Sequence, residues 1–174
     1  MCGGRTRRSS GRGTQHVGAE TKRERAGAAI RAFRPDDAAG LTSILRESPE
    51  AANWTQASYR EWMNAPGAVA FVSEVDGRVT GFVIGRQMAD EAEVLNLAVA
   101  PPARRKGQGS AVLKAALVEF RTRGVCRVYL EVRESNLAAR AFYAKHGFSQ
   151  SGKRLNYYRK PEEAAIVLDL KLAG

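Results

Sequence analysis

From Glu93 to Gly147 the apolar residues change their spacing again and again, and that order restricts the fold more than any other feature of the chain. Glu93 to Val99 reads as a strand, closed by Pro101-Pro102. Gly109 to Arg123 follows with Val112, Leu113, Ala116, Leu117 and Phe120 on one helical face. Arg127 to Glu134 returns to a strand. Asn136 to His146 is a second helix, with Gly147 where a helix ends. A strand–helix–strand–helix run of this kind asks for a sheet with helices packed on it.

The rest of the chain supplies more sheet. Ala28 to Phe33 reads as a strand stopped by Pro35, and Leu41, Ile44 and Leu45 share a helical face ending near Ser48-Pro49. Thr55 is the N-cap of a helix carrying Tyr59, Trp62 and Met63. Val69 to Val75 and Val79 to Gly85 flank Asp76-Gly77, a dipeptide suited to the positive φ angles of a tight hairpin turn. Phe148 to Leu155 and Ala164 to Leu172 form a last strand pair. The expectation is an α/β fold with one domain over residues 28–174. At 44% hydrophobic, its 174-residue chain can bury a substantial core.

Composition excludes several classes. No apolar run approaches the length of a bilayer crossing, and the N-terminus has no apolar region behind its charges. Cys2 and Cys126 make neither a disulfide framework nor a metal spacing, and Cys126 at a strand entry reads as a small buried hydrophobe. A cytoplasmic setting and no membrane partner follow. The net charge is +10, and residues 1–25 hold seven Lys/Arg against Glu20 and Glu24. Residues 1–27 are therefore expected to be a disordered basic tail. Such a tail can touch RNA, but a solvated tail is the simpler reading.

Two features carry chemistry. Glu131 lies between Leu130 and Val132 in an apolar strand, and Tyr143 lies twelve residues on, in the helix that returns beside it. A carboxylate and a phenol there are a general base and a general acid for one reaction centre. Upstream, Arg104-Arg105-Lys106-Gly107-Gln108-Gly109-Ser110 is a basic, glycine-rich turn opening a helix, a natural holder for a pyrophosphate. Val112 stands where a dinucleotide fingerprint wants its third glycine, and no Gly-Lys-Ser/Thr follows for a P-loop. Alone, the turn reads as well as a solvated basic turn. With Glu131 and Tyr143 downstream it suggests group transfer from an anionic cofactor. His146 complements the negative end of its helix and is read as structural.

Arg104-x-x-Gly107-x-Gly109 resembles the acetyl-CoA signature of the GNAT N-acetyltransferases. Leu130 to Asn136, continuing through Phe142-Tyr143 to Gly147-Phe148, is similar to their RimI-type branch, which acetylates the N-terminal alanine of a small-subunit ribosomal protein. The resemblance implies a mixed, mostly antiparallel sheet of about seven strands with four helices and splayed central strands. It implies acetyl-CoA as co-substrate, no metal, and the N-terminal segment of a ribosomal protein as acceptor partner.

Residue by residue, it implies that Leu97, Ala98 and Val99 offer backbone groups to the pantetheine arm, and that Arg104, Arg105, Lys106, Gly107, Gln108, Gly109 and Ser110 cradle the pyrophosphate. Glu131 is then the base, Tyr143 the acid that protonates the departing thiolate, Asn136 a cofactor contact, and Tyr157-Tyr158 the grip on the peptide backbone. Trp54, like Tyr59, serves equally as a wall of the acceptor pocket or as a staple to the sheet. A GNAT enzyme for a small amine or an antibiotic shares the cofactor site without needing the tyrosine pair. Asn53 before Trp54, where the branch usually has proline, leaves the acceptor open. A basic nucleic-acid-binding module leaves Glu131 and Tyr143 unexplained.

Overall fold

The computed structural model describes residues 27–48 and 55–172. Their elements run β1 (Ala29–Ala32), α1 (Ala38–Arg46), α2 (Gln56–Met63), β2 (Ala68–Val75), β3 (Arg78–Met88), β4 (Glu91–Val99), α3 (Gln108–Thr122), β5 (Arg127–Arg133), α4 (Leu137–Lys145), β6 (Ser149–Arg159) and β7 (Glu162–Lys171). The strands form one seven-stranded sheet in the order β1-β2-β3-β4-β5-β7-β6, antiparallel except between β4 and β5. The parallel pair is a consequence of α3, which crosses from the end of β4 back to the start of β5.

Two apolar clusters cover the two faces of the sheet. On one, α3 and α4 bury Val112, Leu113, Phe120 and Tyr143 against Val83, Val94, Val128, Leu130 and Val132. On the other, α1 and α2 bury Leu41, Ile44 and Tyr59 against Val72, Phe82 and Ile84. Gly85 lets α3 come close. A Cβ there would lie 2.8 Å from the Phe120 ring and 2.7 Å from the Glu93 carbonyl oxygen.

Three expectations were too short or misplaced. β3 runs on to Met88 and turns tightly into β4 through Ala89, whose φ is +55°, a turn that neither glycine nor proline announces. The last two strands are longer than Phe148 to Leu155 and Ala164 to Leu172, so Tyr157 and Tyr158 lie within β6. Cys126 is exposed instead of buried, because the alternation of β5 begins its inward set at Val128. No helix among the described residues is long and apolar enough to cross a membrane.

Candidate active site

The site begins with a mismatch in β4. Against β3 the register runs Gly85↔Val94 and then Ile84↔Asn96, so Leu95 is an extra residue. A bulge bends and twists its strand. β4 pairs with β5 only from Glu91↔Arg127 to Val94↔Leu130, and beyond the bulge the two strands part. From Leu95 to Val99, β4 stays bonded to β3 while its β5-facing edge has no strand partner.

A cleft of about 980 Å³ opens in this gap. Its floor is Leu97, Ala98 and Val99, and its other walls include Arg105, Gly107, Gly109, Ser110, Glu131, Asn136, Tyr143 and Tyr158. At one end lies the start of α3. Gly107 caps the helix with φ +82°, a left-handed angle that suits glycine, and no side chain caps the turn. The N–H groups of Gln108, Gly109 and Ser110 thus have no intrahelical acceptor, which makes this end ready for an anion.

The basic side chains of the turn divide. Arg105 lines the cleft. Arg104 also lines it, but its Nε donates to the Val99 carbonyl (2.9 Å) and its Nη2 to Ser48 Oγ (2.8 Å), tying the turn to β4 and to the end of α1. Lys106 donates to the Pro102 carbonyl at 2.7 Å and is not part of the cleft wall. The Gln108 side chain is buried, and its carbonyl accepts from Ser73 Oγ (3.0 Å) and Thr80 Oγ1 (2.7 Å). Only its backbone is free to face a ligand.

The candidate base and acid arrive from opposite faces. Val128, Leu130 and Val132 pack toward α3 and α4, so Tyr129, Glu131 and Arg133 project on the α1/α2 side. Tyr143 approaches from the α4 side. Both line the cleft because the strands have separated between them. The Tyr143 ring is fixed edge-on against Phe142 (5.2 Å) and Phe148 (5.6 Å), and burial pushes its phenol well above the usual value.

Glu131 is met by Arg154 at 3.0 Å and by the Tyr157 hydroxyl, and that hydrogen bond is the main cause that pushes the Tyr157 phenol up to about 12. Tyr157 and Tyr158 stand edge to face at 5.2 Å, and the Arg133 guanidinium lies 4.0 Å over the Tyr158 ring. Asn156 has φ +53°, and β6 slips register between Arg154 and Tyr158, which turns this pair toward β5. At the β5–α4 junction, Asn136 Oδ1 caps α4 by accepting from the Ala139 N–H at 3.0 Å. Trp54 lies outside the described residues. Among the described residues, no group of three or more His, Cys, Asp or Glu is placed to hold a metal ion.

The sequence over residues 38–148 matches the model of the acetyltransferase (GNAT) family. The chain belongs to that family. It is 40% identical over 100 residues to the ribosomal protein bS18-alanine N-acetyltransferase of Salmonella typhimurium, covering 56% of this chain and 68% of that one. It is 32% identical over 142 residues to a protein of Bacillus subtilis named as a putative enzyme of the same kind, covering 81% and 93%. The crystal structure of the ribosomal-protein-S18-alanine N-acetyltransferase from Escherichia coli superposes with a TM-score of 0.74 at 31% identity, covering 84% of this chain and 96% of that one. The GNAT fold expected from the motifs, a seven-stranded mixed sheet with four helices and parted central strands, is the fold observed.

Within this GNAT site, sequence reasoning missed Arg154 and the two anchors of Gln108, Ser73 and Thr80. Their signal is long-range: Arg154 meets Glu131 only through the β6–β7–β5 order.

Proposed function

We propose that the chain transfers the acetyl group of acetyl-CoA to the α-amine of a protein N-terminus, namely the N-terminal alanine of a small-subunit ribosomal protein, in the cytoplasm. The observation that carries this reading is the gap between β4 and β5. Glu131 reaches it from one face and Tyr143 from the other, with the tyrosine pair beside Glu131. The names of the 32–40% identical relatives support the choice of acceptor.

Acetyl-CoA supplies an activated acetyl group, and its shape fits the residues present. The free N–H groups opening α3, with Arg105 beside them, suit the pyrophosphate. The unpaired edge of Leu97 to Val99 suits the amide-bearing arm, and its N–H groups can polarise the thioester carbonyl. The acceptor arrives as an ammonium of pKa about 8. In the net reaction, ammonium plus thioester give amide, thiol and one released proton. Glu131 takes a proton from the ammonium so that nitrogen can attack. Tyr143, kept protonated by burial, gives its proton to the departing sulfur and regains one as nitrogen sheds its second. Tyr157 and Tyr158 hold the peptide backbone. A small-molecule amine would leave that pair without a task.

Incubation with acetyl-CoA and a peptide beginning with alanine, followed by tandem mass spectrometry, tests the reading. The acetyl group is expected on the alanine α-nitrogen. Acetylation confined to lysine side chains or to small amines would sink it.

A further inference from the structure

We propose that Arg133 is a positioning residue of the acceptor site, which holds the Tyr158 ring at the cleft wall and ties it to the junction where α4 begins. The inference rests on the N-terminal-amine reading above.

Backbone pairing alone does not fix Tyr158. β6 is an outer strand of the sheet, paired only with β7. Its ladder passes Arg154↔Ala165 and resumes at Tyr158↔Glu163, so four steps along β6 match two along β7. The ladder is thus broken just before the residue that faces the cleft. Among the described residues, no hydrogen bond reaches the Tyr158 hydroxyl. Its ring is held by the guanidinium of Arg133, 4.0 Å from the centroid, and by the edge-to-face ring of Tyr157.

Arg133 makes that contact because of its rung. It is the last residue of β5 and stands opposite Ala165 on β7, on the same side of the sheet as Glu131. Alanine offers only a methyl there, so the long side chain can cross β7 diagonally toward Glu163 and Tyr158. Arg133 Nη1 donates to Glu163 Oε2 (3.2 Å), and Nη2 donates to the Lys160 carbonyl (3.3 Å) in the turn between β6 and β7. The other Glu163 oxygen accepts the Ser135 N–H at 2.5 Å. The bonds from Ser135 first, and Arg133 after them, hold the Glu163 carboxyl below its usual range, so it stays ionised at neutral pH. Ser135 immediately precedes Asn136, the cap of α4 and part of the cleft wall.

A chain of contacts therefore runs from the start of α4 through Glu163 and Arg133 to the Tyr158 ring. Asn136, Arg133 and Tyr158 all line the cleft. An ion pair whose only task was to staple β5 to β7 would need charge alone. Here the fork of the guanidinium serves Glu163 and Lys160 while its face covers the ring. A lysine would supply the charge, but neither the fork nor the face.

The test is a double-mutant cycle in steady-state kinetics, on the full chain, with acetyl-CoA and a peptide beginning with alanine. Arg133→Lys is expected to raise the peptide KM roughly threefold or more, the scale of a cation–π contact. The acetyl-CoA KM and the thermal midpoint should stay near wild type. Glu163→Gln, which loosens the guanidinium without removing it, should move the peptide KM the same way by less. In a Tyr158→Ala background, where the ring is gone, Arg133→Lys should add no further penalty. The same penalty in both backgrounds, an equal rise in both KM values, or no effect of Arg133→Lys overturns the role of Arg133. Each of these leaves the acceptor reading standing, because the peptide α-amine is still turned over. No turnover of that amine by wild type overturns both.

Discussion

The Tyr143 hydroxyl is the only polar atom of a side chain otherwise enclosed by aromatic rings, and loss of that atom alone separates chemistry from packing. Tyr143→Phe is expected to lower kcat by roughly 10- to 100-fold, toward the low end of the range for loss of a proton-transfer group. The dissociation constant for acetyl-CoA should stay near that of wild type, which titration calorimetry reads directly. Replacing Tyr157 and Tyr158 together by alanine is expected to raise the peptide KM and leave acetyl-CoA affinity unchanged, in steady-state kinetics with each substrate varied in turn. An equal loss for both substrates would make the pair a support for β6 and not a grip on the acceptor.

At the scale of elements, the parting of β4 from β5 creates the site, and its cause is the single extra residue at Leu95. Gly109 lies beneath the opening. A Cβ there would sit 3.5 Å from Val99 and 3.6 Å from Phe142, ordinary contacts inside the protein, but directed into the cleft between β4 and α4. Gly109→Val is therefore expected to weaken acetyl-CoA binding at least tenfold while the thermal midpoint holds. Unchanged affinity in a folded variant would remove the turn from the cofactor site.

A second element-scale prediction concerns the other edge of the sheet. Arg31 on β1 bonds both oxygens of Asp37 (2.7 and 2.8 Å) and also Glu74 on β2. Burial tends to raise the Asp37 carboxyl, but the Arg31 bonds and the Arg34 N–H outweigh it and the net shift is down. A carboxyl lowered by folding stabilises above its unfolded pKa of about 3.9 and loses that effect as pH falls through its folded value. Arg31→Met should thus cost about 1–2 kcal/mol at neutral pH, and the gap to wild type should close in denaturation series taken below pH 4.

What could be read in the sequence was whatever is local. Thr55 caps α2 through the Ser58 N–H, Asp76-Gly77 turns the hairpin, and Val112 to Phe120 bury one face of α3, each set by neighbours a few residues away. The positions of Glu131 on a strand and Tyr143 on the next helix were legible because a charge in an apolar strand and a phenol one helix later are also local patterns. The bulge at Leu95 was not, since an extra residue exists only relative to the facing strand. The inward turn of Gln108 and the meeting of Arg154 with Glu131 depend on pairings 35 and 23 residues apart for the same reason.

Over the whole molecule, the two apolar clusters give the sheet two sides with different tasks. In the proposed reading the cofactor meets the backbone that opens α3, while Glu131 and Tyr157 gather toward the α1/α2 side for the acceptor. Both substrates can then be present at once. The proposed transfer is direct, and Cys126, at the opposite end of β5, is not among the residues of the cleft. Removing residues 1–26 is expected to leave kcat and acetyl-CoA affinity within about twofold, because every group assigned to the reaction lies outside them. A salt-sensitive affinity for RNA that vanished with the segment would give it a separate role.

The central claim is direct transfer across the gap with Glu131 as base. Its most direct test is a matrix of initial rates over acetyl-CoA and alanyl-peptide concentrations, for wild type and Glu131→Gln, from pH 6 to 9. Wild type should give intersecting lines. The variant should keep both KM values near wild type while kcat falls by roughly 10²-fold or more. Parallel lines with acetyl bound to the enzyme, or a Glu131→Gln protein with near-normal kcat across that range, would contradict the account.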